Sequence, residues 1–291
     1  MTLHFFRSHG LALLRGSGQI LFQPSAVTGA VFLLLVFSQS PLAMGLCLAG
    51  LVGSTACSAI LERNTTAYFE GAGGFNGALL GLAIWTFIGE SWVLFPLALF
   101  GGLLTGVVRV GLLRASTLPP FTAPYVMVGW LLLPASIALI GHGDAAPAAA
   151  WESAWQGVLN SSSQVLFLAV PWIGIGTVIA VALHSLPAAV WIAAAAGLAW
   201  ILAWGFGLEP SALEQGLLGY NAMILAAALQ ARRTSVPLAL VGVAATVWLS
   251  VLALKVGILV LSAPFVVTAW MIVATGTWLS KPSPPALTRQ D

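Results

Sequence analysis

Gly74-Phe75-Asn76-Gly77-Ala78-Leu79 returns 145 positions later as Gly219-Tyr220-Asn221-Ala222-Met223-Ile224. Each copy opens a short apolar run, 74–89 and 216–231, in an otherwise long-spanned chain. The repetition spreads outward from these two stretches. Gln19-Ile20-Leu21-Phe22 recurs as Gln164-Val165-Leu166-Phe167, and Gly29 recurs as Gly174, seven residues after the phenylalanine in both places. Near the end of each half, Thr122-Ala123-Pro124-Tyr125-Val126 becomes Ser262-Ala263-Pro264-Phe265-Val266, at an offset of 140. Apolar matches in an apolar chain carry little weight. Gln, Asn and a hydroxyl before Ala-Pro, in one order and at near-constant spacing, carry a good deal. The chain reads as two copies of one unit, 1–145 and 146–291, the first including a basic amphipathic N-terminal segment, 1–17.

The solvent for most of this surface is lipid. Apolar residues make up 59% of the 291 and charged residues only 6%, against roughly a quarter charged in soluble domains. The mean hydropathy is +1.01. Runs long enough to span a bilayer fall at roughly 19–37, 41–60, 74–89, 91–113 and 121–141, then at 164–183, 187–206, 216–231, 235–254 and 257–279. The polar stretch between the two sets, about 142–163, reads as a loop. The expected fold is an all-α polytopic membrane protein.

Charge orients it. With the N-terminus in the cytoplasm, Arg7, Arg15, Arg63, Arg109, Arg114, Arg232, Arg233, Lys281 and Arg289 fall inside and only Lys255 outside. The outer loops hold Glu90, Asp144, Glu152, Glu209 and Glu214. That bias satisfies the positive-inside rule and places both termini in the cytoplasm. Five spans per half then force the second copy to insert upside down. Inverted copies put a substrate path at their interface near the midplane, with short or interrupted helices around it. Met1–Ser17 has no cleavage site of a secretory signal, and the short loops favour a bacterial inner membrane. The Asn64-Thr65-Thr66 sequon then lies in the cytoplasm and is fortuitous.

Polar groups within spans are costly unless paired or facing water. Gln19 and Gln164 open the first span of each half, with Phe22 and Phe167 three residues on, on nearly the same helical face. A carboxamide oxygen beside an aromatic wall suits a small planar molecule with N–H donors; the plain structural alternative is interhelical glue. Asn76 and Asn221 read as caps of the short helices, followed by Leu79 and Ile224 as core. Thr122 and Ser262 either satisfy carbonyls freed by Pro124 and Pro264 or place a hydroxyl at a constriction. Glu70 and Glu214 are solvated loop carboxylates or acceptors that hold the short helices. His4, His9, His142 and His184 fall at ends and loops, which argues against a histidine-lined proton or ammonia path. Cys47 and Cys57 lie too far apart along one helix for a disulfide. No metal-ligand spacing, cofactor motif, His-Glu-x-x-His or nucleophile elbow occurs, so neither an enzyme nor a nucleic-acid partner is expected.

In order and duplication these motifs are similar to those of the urea transporter family, in which Gln-x-x-Phe, Gly-Tyr-Asn-Gly-x-Leu and Thr-Ala-Pro-Phe recur in each half. The resemblance runs from about Gly18 to Ala269. It implies a homotrimer whose subunits each conduct urea passively. Gln19, Phe22 and Leu79 would build one outer site; Gln164, Phe167 and Ile224 would build the other. Thr122 and Ser262 would flank the centre, and urea and membrane lipids would be the partners. This chain departs from the pattern at the family's Asn-Asn pair, replaced by Pro24-Ser25 and Ala169-Val170, and at Ala222, Ile224 and Ser262. The alternative reading is a channel for another small neutral solute, a short-chain amide or ammonia.

Overall fold

The structure, a computed structural model, describes residues 2–62, 65–141, 154–206 and 213–279. Among them there are helices and no strands. The first half runs α1 (Thr2–Gly18), α2 (Ala26–Phe37), α3 (Pro41–Leu61), α4 (Thr65–Phe69), α5 (Phe75–Ile88), α6 (Phe95–Ala115) and α7 (Ala123–Ile140). The second runs α8 (Ala154–Ser163), α9 (Pro171–Ala182), α10 (Leu186–Trp204), α11 (Tyr220–Ala231), α12 (Val236–Val256) and α13 (Ala263–Leu279). The starts of α5 and α11 are 145 apart and those of α7 and α13 are 140 apart, the two offsets found between the sequence motifs.

Five stretches are long and apolar enough to cross a membrane: 41–61, 92–115, 123–140, 186–204 and 236–256. The apolar segments 75–88, 220–231 and 263–276 are shorter. The two remaining segments differ from expectation. Residues 19–37 and 164–183 are not continuous helices. Residues 8–21 and 26–37 meet at 76°, and 155–166 and 171–182 at 67°. Consequently Gln19 and Gln164 do not open a span; they begin a 3-10 turn that ends the preceding helix. Helix α8 likewise occupies part of what reads as a loop. Asn64, Arg63, His142, Lys281, Arg289 and the boundary at 145 lie outside the described residues.

Both elbows have the same build. Phe22 N–H donates to the Gln19 carbonyl (2.9 Å) and Gln23 N–H to Gly18 (3.1 Å); Phe167 and Leu168 bond Gln164 and Ser163 at 2.9 and 3.1 Å. This is a Schellman ending, whose left-handed residue is usually glycine. Here it is phenylalanine: Phe22 has φ 58° and Phe167 φ 61°. The restarts use different residues. Ser25 accepts from Thr28 N–H (3.2 Å) to cap α2, whereas Pro171 stands in the first turn of α9, where its missing N–H is harmless. The two sequences at the replaced Asn-Asn positions therefore give matching bends.

Glycines hold the arms of each elbow together. A Cβ on Gly29 would stand 1.7 Å from the Leu14 carbonyl oxygen, and one on Gly174 would stand 2.0 Å from that of Leu159. Neither position admits a side chain without parting the backbones, which is the physical reason the pair recurs. Elsewhere the halves diverge. Gly50 and Gly77 bring α3 and α5 together so closely that a Cβ on Gly77 would lie 2.0 Å from the Gly50 oxygen. The matching residues are Ala195 and Ala222, both buried, so α10 and α11 must stand farther apart. Helices α5 and α11 are apolar on all sides and almost wholly buried, as helices at the centre of a bundle must be. Cys47 and Cys57 are buried free thiols.

Candidate functional site

A chain of contacts joins the motifs of the two halves. At its middle the Ser262 hydroxyl donates to Thr122 Oγ1 (2.6 Å) across 140 residues. Both side chains are buried, at 2% and 0% exposure. They therefore serve one another, whatever else they do. Three residues beyond Ser262, the Phe265 ring lies 5.9 Å from that of Phe22. Three residues beyond Thr122, the Tyr125 ring lies 6.3 Å from that of Phe167. Each Gln-x-x-Phe phenylalanine thus meets the aromatic residue of the other half's Ala-Pro motif. The indoles repeat this crossing: Trp130 Nε1–H donates to the Leu259 carbonyl (2.7 Å) and Trp270 Nε1–H to Pro119 (2.8 Å). Reciprocal contacts of this kind are what two like units make across a twofold.

Backbone strain concentrates at the same places. Among the described residues, five non-glycine positions have positive φ: Phe22, Phe121, Phe167, Arg233 and Leu261. Four of them are the two elbow phenylalanines and the residues immediately before Thr122 and Ser262. Left-handed non-glycine backbone costs on the order of 1–3 kcal/mol and collects where surrounding structure enforces it for function.

The asparagines do the enforcing, and in a way that corrects their expected role. Gly74 and Gly219, rather than Asn76 and Asn221, occupy the cap positions of α5 and α11. Asn76 reaches across to the start of α7. Its Nδ2 donates to the Phe121 carbonyl (3.1 Å) and its Oδ1 accepts from Tyr125 N–H (3.1 Å). Asn221 Nδ2 donates to the matching Leu261 carbonyl (3.1 Å), which also accepts from the Tyr220 hydroxyl. Each asparagine therefore pins the strained residue that presents Thr122 or Ser262.

Gln19 is half-buried, and its Nε2 donates to the Glu70 carbonyl (3.0 Å). With its donor end engaged, the carboxamide oxygen is left as an acceptor. Gln164 is half-buried too, and its side chain makes no hydrogen bond among the described residues. At both Glu70 and Glu214 the main-chain carbonyl accepts a side-chain hydrogen bond. Asn160 Nδ2 donates to the Glu214 carbonyl (2.7 Å), just as Arg15 Nη1 donates to that of Phe69 (2.9 Å), the residue that matches Glu214. The Glu70 side chain is exposed.

Leu79 and Ile224 are buried on α5 and α11, in the core against which Phe22 and Phe167 pack. The first-half ring cluster is larger than the motif alone suggests. Phe22 also lies 6.1 Å from Phe75 and 5.9 Å from Phe121. Phe87, 6.2 Å from Phe167, has no repeat signal and could not be picked from the sequence. Phe75 and Tyr220 could have been, since they precede the repeated asparagines. No group of three or more His, Cys, Asp or Glu able to hold a metal occurs among the described residues.

A protein-family model described as urea transporter matches residues 11–277, nearly the whole chain. The chain belongs to the urea transporter family. It is accordingly a multi-pass membrane protein that transports urea, in a family of transporters rather than enzymes. In this transporter the resemblance inferred from duplicated Gln, Asn and Ala-Pro motifs and the family match cover nearly the same residues.

Proposed function

We propose that urea crosses this transporter passively, down its gradient, through a narrow passage between inverted halves 1–145 and 146–291. The observation that carries the reading is the Ser262–Thr122 hydroxyl pair, flanked on either side by a ring contact between the halves. Gln19, Phe22 and Leu79 form one end of the passage, and Gln164, Phe167 and Ile224 the other. Reciprocal contacts of Trp130 and Trp270 support the twofold relation of the halves. The basic residues support cytoplasmic termini, the short loops support a bacterial inner membrane, and family resemblance supports a homotrimer.

The physics of the permeant fits this lining. Urea is flat and neutral, with four N–H donors and one strong acceptor. Removing its water without replacement costs several kcal/mol, on the order of that for any unpaired amide. The free Gln19 oxygen and the central hydroxyls replace part of that water, while aromatic and aliphatic faces admit only a flat molecule. None of the eight passage residues is charged. Ions would lose hydration that such a lining cannot restore. Conduction further requires that no single site hold the solute tightly.

Stopped-flow measurements on proteoliposomes test this directly. Urea is expected to pass faster than acetamide, ammonia or water, with flux unaffected when the proton gradient is collapsed. A higher permeability to ammonia or acetamide moves the assignment to that solute. In the same assay Ser262→Val is expected to slow urea about tenfold, because it strands the Thr122 hydroxyl and removes a partner at the centre. Unchanged flux would assign Ser262 to bracing alone.

A further inference from the structure

The two ends of the passage are built from matching positions, yet they are chemically unlike. At the first end Phe22 meets Phe75 and Phe265. The matching residues at the second end are Phe167, Tyr220 and Tyr125. Two phenol hydroxyls are thus present at one end and absent from the other. The Tyr220 hydroxyl is engaged, since it donates to the Leu261 carbonyl. The Tyr125 hydroxyl is different. Its residue is 1% exposed, and among the described residues nothing bonds that oxygen. Its ring stands edge-on to Phe167 at an interplanar angle of 83°, which places the residue at the second end rather than in a remote part of the core.

A buried polar group without a partner is rare and calls for an explanation. The orphan here is not imposed by the fold, because the matching Phe265 packs without a hydroxyl and is 0% exposed. Nor does ring orientation depend on it. Asn76 holds the main chain of Tyr125 through its N–H, and Phe167 covers the ring. What the hydroxyl can do is donate. The Gln19 end offers an oxygen acceptor, suited to the N–H edge of a flat amide. A phenol at the opposite end is suited to its carbonyl.

We propose that the Tyr125 hydroxyl is a specificity-determining donor that hydrogen-bonds the carbonyl oxygen of the permeant beside Phe167. The two ends of the passage then recognise opposite edges of the same molecule. This inference rests on the channel reading above and adds to it which atom of the solute is read, and where.

Urea and thiourea separate the possibilities, since they share shape and N–H donors while sulfur is a weak hydrogen-bond acceptor. In proteoliposomes, Tyr125→Phe is expected to lower urea permeability about three- to tenfold, the loss of one hydrogen bond. Thiourea permeability should change by less than about twofold on the same ground. Parallel falls in both permeants, or no change in either, overturn the inference. Should Tyr125→Phe fail to give a monodisperse protein, Phe265→Tyr supplies the second arm. A hydroxyl added at the first end is expected to raise the urea-to-thiourea ratio, and an unchanged ratio overturns the inference equally. Wild-type vesicles that pass no urea sink the channel reading and this inference together; urea flux with an unaltered ratio sinks only this inference.

Discussion

Gln19→Leu is expected to reduce urea permeability at least about tenfold while leaving assembly and melting temperature nearly unchanged. Leucine is close to glutamine in size, so the change removes an acceptor without opening a cavity. The Nε2 bond to the Glu70 carbonyl holds the wild-type carboxamide in one orientation. An acceptor already oriented needs no further ordering when a solute arrives, which makes its removal more costly than that of a mobile one. Gln164 has no such brace among the described residues, so Gln164→Leu should have the smaller effect. The double variant makes a sharper test. In the proposed passage the two ends stand in series, so their resistances add; flux in the double variant should stay above half that of the slower single variant. A multiplicative loss would place both glutamines at one barrier, and normal flux in the folded double variant would remove them from the mechanism. Proteoliposome uptake, normalised to protein that elutes at the native size, provides the measurement.

The sequence makes the repeat legible because polar residues inside spans are few. A duplicated Gln, Asn or Ser/Thr-Ala-Pro stands out against lipid-facing residues that tolerate drift. The same logic singles out Thr122 and Ser262 as a pair, and their hydroxyls meet at 2.6 Å. What it does not reveal is backbone conformation. Gln-x-x-Phe reads as one helical face, yet Phe22 and Phe167 adopt left-handed backbone that ordinarily selects glycine. No local propensity announces such a residue; the surrounding packing imposes it. The asparagines were misleading for a related reason. An Asn beside a helix start suggests a local cap, but here the favourable partners, Phe121 and Leu261, lie just before α7 and α13, 40 or more residues away. The unpartnered phenol of Tyr125 was equally hidden, because tyrosine for phenylalanine in an aromatic motif looks conservative until each hydroxyl is assigned an acceptor.

Arg109→Met is expected to destabilise the protein by about 3–5 kcal/mol, although the residue is not among those of the proposed passage. Arg109 is 7% exposed on α6, and its guanidinium pairs with Glu62 at the end of α3. Arg114 donates to the neighbouring Leu61 carbonyl (3.4 Å). Both cations therefore face the C-terminal end of α3, where the helix dipole favours positive charge. Helices α3 and α6 meet backbone to backbone: a Cβ on Gly102 would lie 2.2 Å from the Gly50 oxygen, and one on Gly53 would lie 2.3 Å from that of Leu99. Small residues bring these helices close but define their axial register weakly. The ion pair supplies a point at which that register is fixed. Removing one charge leaves the other largely out of water, as the side chains are 8% and 11% exposed. Removing both, in Arg109→Met with Glu62→Met, takes away the desolvation cost with the attraction and should recover most of the lost stability. Thermal unfolding in detergent of the wild type, both single variants and the double variant gives the coupling. Urea flux per folded protein should be the same in the double variant as in the wild type. A double variant no more stable than either single one would mean that Arg109 and Glu62 act independently, and the register of α3 on α6 would then rest on the glycine contacts alone.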